Sequence, residues 1–181
     1  MSKIIAALEG KASVEVGSFI TKAVSLEIET NGVSSTGEFS SDDTKLAITN
    51  LTKSISDRAD ALITLFTVIE DSQHPEEFFD TESVEELTDA VVMIQSFKDI
   101  LKIQHNGLVR RVGIDSEAAQ SFNVVRRATA KLYSSVMNLI SLHKQLCISE
   151  NSEYKPELVF SSEVAGMLKK ATDSTVTKSS R

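Results

Sequence analysis

A chain of 181 residues, 41% apolar and 25% charged, is the size of one ordinary domain; it is too apolar for a disordered chain and too polar for a membrane protein. Its 19 Lys and Arg against 26 Asp and Glu leave a formal charge of −7, which argues against nucleic-acid binding driven by net charge. One cysteine, Cys147, leaves no internal disulfide framework and no multi-cysteine metal site, and 7 Gly, 2 Pro, 2 Tyr and no Trp are a poor composition for an all-β or loop-rich enzyme.

The first thirty residues admit two readings. Ile5, Leu8, Ala12, Val16, Phe19, Ala23 and Leu26 step by three or four, as on a helix that Asn31-Gly32 would end. Against this, Gly10 and Gly17 lie inside it, each costing about 1 kcal/mol relative to Ala. Val14, Val16, Val24, Leu26 and Ile28 also alternate as in a strand, and Asn31-Gly32 is a hairpin turn signal. Residues 1–35 are therefore read as either a helix or a small β element. The apolar stretch 4–8 is too short for a signal peptide, since Glu9 and Lys11 follow it. No run approaches the roughly 20 apolar residues of a membrane helix. The expectation is a cytoplasmic protein without a membrane partner.

Three windows then lack both Gly and Pro: 38–74, 76–106 and 114–155. In the first, Ile48, Leu51, Ile55, Ala59, Leu62, Phe66 and Ile69 recur at helical spacing. Val84, Leu87, Val91, Ile94, Phe97 and Leu101 do so in the second. Ala118, Phe122, Val125, Thr129, Leu132, Val136, Leu139, His143 and Leu146 alternate steps of four and three in the third. Such stripes belong to helices that bury one face against other helices. Ser40 or Ser41, Asp80 or Ser83, and Asp115 or Ser116 offer the N-terminal caps, and Asn106-Gly107 offers a stop for the second helix. Ser161 or Ser162 would cap a short helix over 163–171, and the Ser/Thr/Lys-rich stretch 172–181 reads as a loose tail. The predicted fold is all-α: one domain over 1–171, an antiparallel bundle of three or four long helices with coiled-coil-like packing and a short C-terminal helix.

Charge is segregated along this framework. Residues 1–97 hold 18 acidic and 6 basic side chains, whereas 98–131 hold 7 basic and 3 acidic. The acidic extreme, 70–89, contains Glu76, Glu77, Glu82, Glu85 and Glu86 and no Lys or Arg. The basic extreme contains Lys98, Lys102, Arg110, Arg111, Arg126, Arg127 and Lys131. An up-and-down bundle would place the two surrounding connections at opposite ends, giving an acidic and a basic end that select partners by complementary fields. Arg110, Arg111, Arg126 and Arg127 are the candidate clamps for carboxylate or phosphate. Without aromatic residues among them, stacking on single-stranded nucleic acid is not supported.

Other chemistry is sparse. Asp71, His74, Glu76 and Glu77 group possible metal ligands in one connection, but at no recognised ligand spacing. His143 lies on an apolar stripe, and Cys147 follows it by four residues on the same helix face, without an identifiable third catalytic group. Phosphate-cradling glycine loops and the Gly-x-Ser-x-Gly and His-Glu-x-x-His motifs are absent. The expected function is non-enzymatic, without cofactor or metal: an assembly subunit or adaptor that docks on a protein partner or on itself. The alternatives are a neutralising protein of antitoxin or immunity type, covering a basic target with its 70–89 region, and a helical metal- or thiol-dependent enzyme.

Overall fold

A computed structural model describes residues 2–9, 33–39 and 41–150. Its helices are α1 (Lys3–Glu9), α2 (Asp42–Glu70), α3 (Thr81–Val112) and α4 (Glu117–Glu150), with a 3₁₀ turn at Pro75–Phe78. The long helices, of 29, 32 and 34 residues, occupy the three windows free of Gly and Pro, and the chain forms the predicted all-α bundle. Helix is found at the start of the ambiguous N-terminal region, and an isolated antiparallel bridge joins Val33 to Phe39 near its end. The choice between helix and strand over 10–32 lies outside the described residues, as do the short helix over 163–171 and the tail.

Each long helix begins at an oxygen that takes up otherwise orphaned amides. Ser41 accepts from the amide of Thr44, Asp80 accepts from that of Ser83 at 2.8 Å, and Ser116 accepts from that of Ala119 at 3.3 Å. The predicted stop at Asn106-Gly107 is corrected: α3 runs through it to Val112. Gly107 weakens a helix by about 1 kcal/mol, but Leu108 just beyond it is 3% exposed, and its burial outweighs that loss. The stop is Gly113, whose φ of +90° closes the helix where a Cβ would be strained.

The register follows from cross-helix pairs. Lys45 meets Glu117 at 2.8 Å and Asp60 meets Lys131 at 2.6 Å, so α2 and α4 run parallel. His105 meets Arg126 and Lys98 meets Tyr133, so α3 runs antiparallel to α4. α2 and α3 both pack along α4, and α1 contacts α2 and α3. α1 buries Ile4 and Leu8 there, while its neighbour Ser2 meets Ser83 at the start of α3. The guanidinium of Arg58 on α2 is buried and donates from Nε to the carbonyl of Leu8 at 2.9 Å.

The α2–α3 and α3–α4 connections therefore lie at opposite ends of the bundle. The turn spanning Val33–Phe39 closes the second of these ends: Ala118 donates its amide to the Gly37 carbonyl at 2.9 Å. A Cβ on Gly37 would fall 2.3 Å from that of Ser116, so this approach requires glycine. No helix among the described residues is long and apolar enough to cross a membrane.

Candidate functional site

The sequence-predicted site residues separate into three groups. Glu76 and Glu77 are exposed on the 3₁₀ turn, and Glu82, Glu85 and Glu86 are exposed on the first turns of α3. Together they form the acidic end; all nine carboxylates between residues 70 and 89 are exposed. Arg110 and Arg111 occupy the last turn of α3, where cations complement the helix dipole. Arg126 and Arg127 lie elsewhere, on the wall of a groove between α3 and α4.

This groove has a volume of about 430 Å³. Lys98 and Lys102 enter it from α3, and Arg126 and Arg127 enter from α4. Gln95, Asn123 and the single acid Asp99 complete its polar lining. Asp99 accepts a hydrogen bond from Gln95 Nε2 at 3.1 Å. Lys98 sits over the Tyr133 ring, 4.1 Å from its centroid, in cation–π contact. Arg126 donates from Nη1 to Nδ1 of His105 at 2.8 Å, which orients one cation of the set.

Four cations converging on one groove make a site for a ligand with several negative oxygens. The acidic start of α3 does not cancel their field. Asp89 precedes Lys98 by nine residues, about 13 Å along the helix, which exceeds the screening length of about 8 Å at physiological salt. The basic end expected from sequence is thereby refined. Its Arg110 and Arg111 are terminal, whereas the gathered charge flanks the middle of the bundle. Lys98 and Lys102 were absent from the sequence-predicted clamps. Their spacing of four residues was the available signal, but only the α3–α4 register places them opposite Arg126 and Arg127.

The remaining candidates carry less. His74 Nδ1 lies 3.4 Å from Glu76, and no group of three His, Cys, Asp or Glu side chains among the described residues is placed to hold a metal. Cys147 Sγ lies 3.4 Å from His143 Nε2, as their spacing predicts, and the His143 ring packs against Phe79 with centroids 5.1 Å apart. Burial lowers the proton affinity of His143, which works against the imidazolium that would stabilise a thiolate.

His105 is also held below its ordinary value, by burial first and then by Arg126. Both histidines bind protons more weakly folded than unfolded. Their contribution to stability is therefore complete above about pH 6.5 and is lost as pH falls through the folded values. We expect the Tm to decline between pH 7.5 and 5.5, and a His105→Gln/His143→Gln variant to show a flatter profile over the same interval. An equally steep decline in that variant would refute the assignment.

No protein-family model, curated protein or solved structure matches the chain.

Proposed function

We propose that this chain is a non-enzymatic protein-interaction module, an adaptor or assembly subunit of the cytoplasm, whose main docking surface is the basic α3–α4 groove. The carrying observation is the convergence of Lys98, Lys102, Arg126 and Arg127 on one groove. Such a surface selects an acidic protein segment: the Arg side chains offer planar forks to carboxylates, the Lys side chains offer point charges, and steering by their field speeds encounter. An acidic segment is favoured over nucleic acid because the groove residues include no aromatic platform and the whole chain is acidic.

A fluorescein-labelled oligoglutamate of twelve residues, followed by anisotropy at low salt, tests this reading. Binding should weaken with added salt and fall at least tenfold in an Arg126→Gln/Arg127→Gln variant. Absence of binding, or binding indifferent to the variant, would overturn it. Equal or tighter binding of a twelve-nucleotide oligothymidine would move the groove to nucleic acid.

The exposure of all nine carboxylates in the 70–89 region favours a second reading, in which that end covers a basic target. An oligolysine probe separates the two, since its binding should depend on Glu76 and Glu77 and not on the groove.

A further inference from the structure

The outer face of α3 is a third surface, distinct from the groove. Glu85, Val92, Ser96, Ile103 and Arg110 succeed one another along it at heptad-like spacing, all exposed except Val92, which is partly buried against the core. At about 100° per residue they fall within about 40° of one line along the helix. The burial pattern confirms the direction of this line, because Leu87, Ile94, Leu101 and Leu108 on the other side are buried. Ile103 is 73% exposed, more than any other large apolar side chain described. Ser96 and Gly107 leave low relief beside it, and a Cβ added at Gly107 would meet nothing within 4 Å.

This stripe is self-complementary when reversed. Glu85 and Arg110 lie equally far from a midpoint between Ser96 and Asp99, and so do Val92 and Ile103. An antiparallel second copy therefore sets Glu85 against Arg110 twice and brings Ile103 twice over the exposed part of Val92. Among the described residues, Glu85 and Arg110 make no salt bridge within the chain, so both are available.

We propose that α3 pairs with α3 of a second copy to form an antiparallel, two-fold symmetric dimer centred between Ser96 and Asp99. Charge complementarity between the two halves of one helix selects a copy of the same chain, and a two-fold contact closes on itself, as in most homo-oligomers. A strip as long as α3, about 48 Å, and about 10 Å wide would bury on the order of 1,000 Å² over both partners, at the lower edge for a specific interface. The dimer is accordingly expected at the weak end of specific association and salt-sensitive. Lys98, Lys102, Arg126 and Arg127 lie to one side of the contact, so each dimer presents two basic grooves and binds a repeated acidic partner with avidity.

Sedimentation equilibrium of the full chain between 5 and about 500 µM, in 20 mM and 500 mM NaCl, reads this directly. The expected result is a monomer–dimer equilibrium that weakens with salt. Ile103→Glu, Glu85→Arg and Arg110→Glu should each raise Kd at least tenfold, whereas the control Ile63→Glu, at an exposed apolar position on α2, should leave it unchanged. The double variant Glu85→Arg/Arg110→Glu re-forms both pairs and should return to within about threefold of the parent. A monomer throughout the range, equal loss in Ile63→Glu, or no recovery in the double variant would overturn the proposal. Groove binding by oligoglutamate is measured separately, so failure of either result leaves the other standing.

Discussion

Replacing Phe122 by alanine should lower the free energy of unfolding by about 3–5 kcal/mol, a large part of the total for a domain of this size. Phe122 is 1% exposed and among the largest fully buried side chains. It lies one turn before Arg126 on α4, and the pairing of Arg126 with His105 puts it at the level of Val109, beside Leu108, on α3. That end of the bundle is held by the four-residue α3–α4 connection and by the bond from Ala118 to Gly37. Both limit how far the helices can collapse into a void, so the cavity term should persist alongside the lost transfer energy. Urea unfolding followed by circular dichroism checks the value, with an unchanged slope expected if the denatured state is unaffected. A loss below about 1 kcal/mol would mean that the end of the bundle relaxes to fill the space.

Arg58→Met should cost about 1.5–3 kcal/mol and act first on α1. Arg58 is 2% exposed, and burial lowers its pKa from the ordinary arginine value. It donates from Nε to the Leu8 carbonyl in the last turn of α1, and from Nη1 to the carbonyl and hydroxyl of Ser54. Methionine keeps the apolar stem but removes the side-chain donor that the buried Leu8 carbonyl receives from α2. Relief of the desolvated charge offsets part of the loss, which limits the effect to a few kcal/mol. Hydrogen exchange locates it: amides of α1 should exchange about 10–100 times faster, since each tenfold corresponds to about 1.4 kcal/mol, while α4 stays protected. Uniform acceleration across all helices would show that Arg58 supports the whole bundle rather than docking α1.

Much of the fold was legible because helical periodicity is a local property. Val84, Leu87, Val91, Ile94, Phe97 and Leu101 formed one stripe in sequence, and all six are buried. The caps at Ser41, Asp80 and Ser116 were among the candidates because each acts on amides within its own first turn. The false stop at Gly107 came from weighing local propensity without the burial of Leu108 beyond it. Arg58 gave no warning of its burial, since its acceptor on α1 lies 50 residues away in the chain.

The candidate site was legible as composition rather than as geometry. An excess of basic residues over 98–131 was plain, but their partition was not. Arg110 and Arg111 follow α3 to its end, whereas Lys98 and Lys102 are brought against Arg126 and Arg127 by the antiparallel pairing with α4. By itself, then, the sequence determined the helices, their buried faces and the separation of acidic from basic segments, because periodicity, capping and charge are set by neighbours a few residues apart. Only the tertiary structure decided which cations share a groove and which buried carbonyl receives Arg58. Those pairings depend on the relative register of helices far apart in the chain, and long-range packing sets that register.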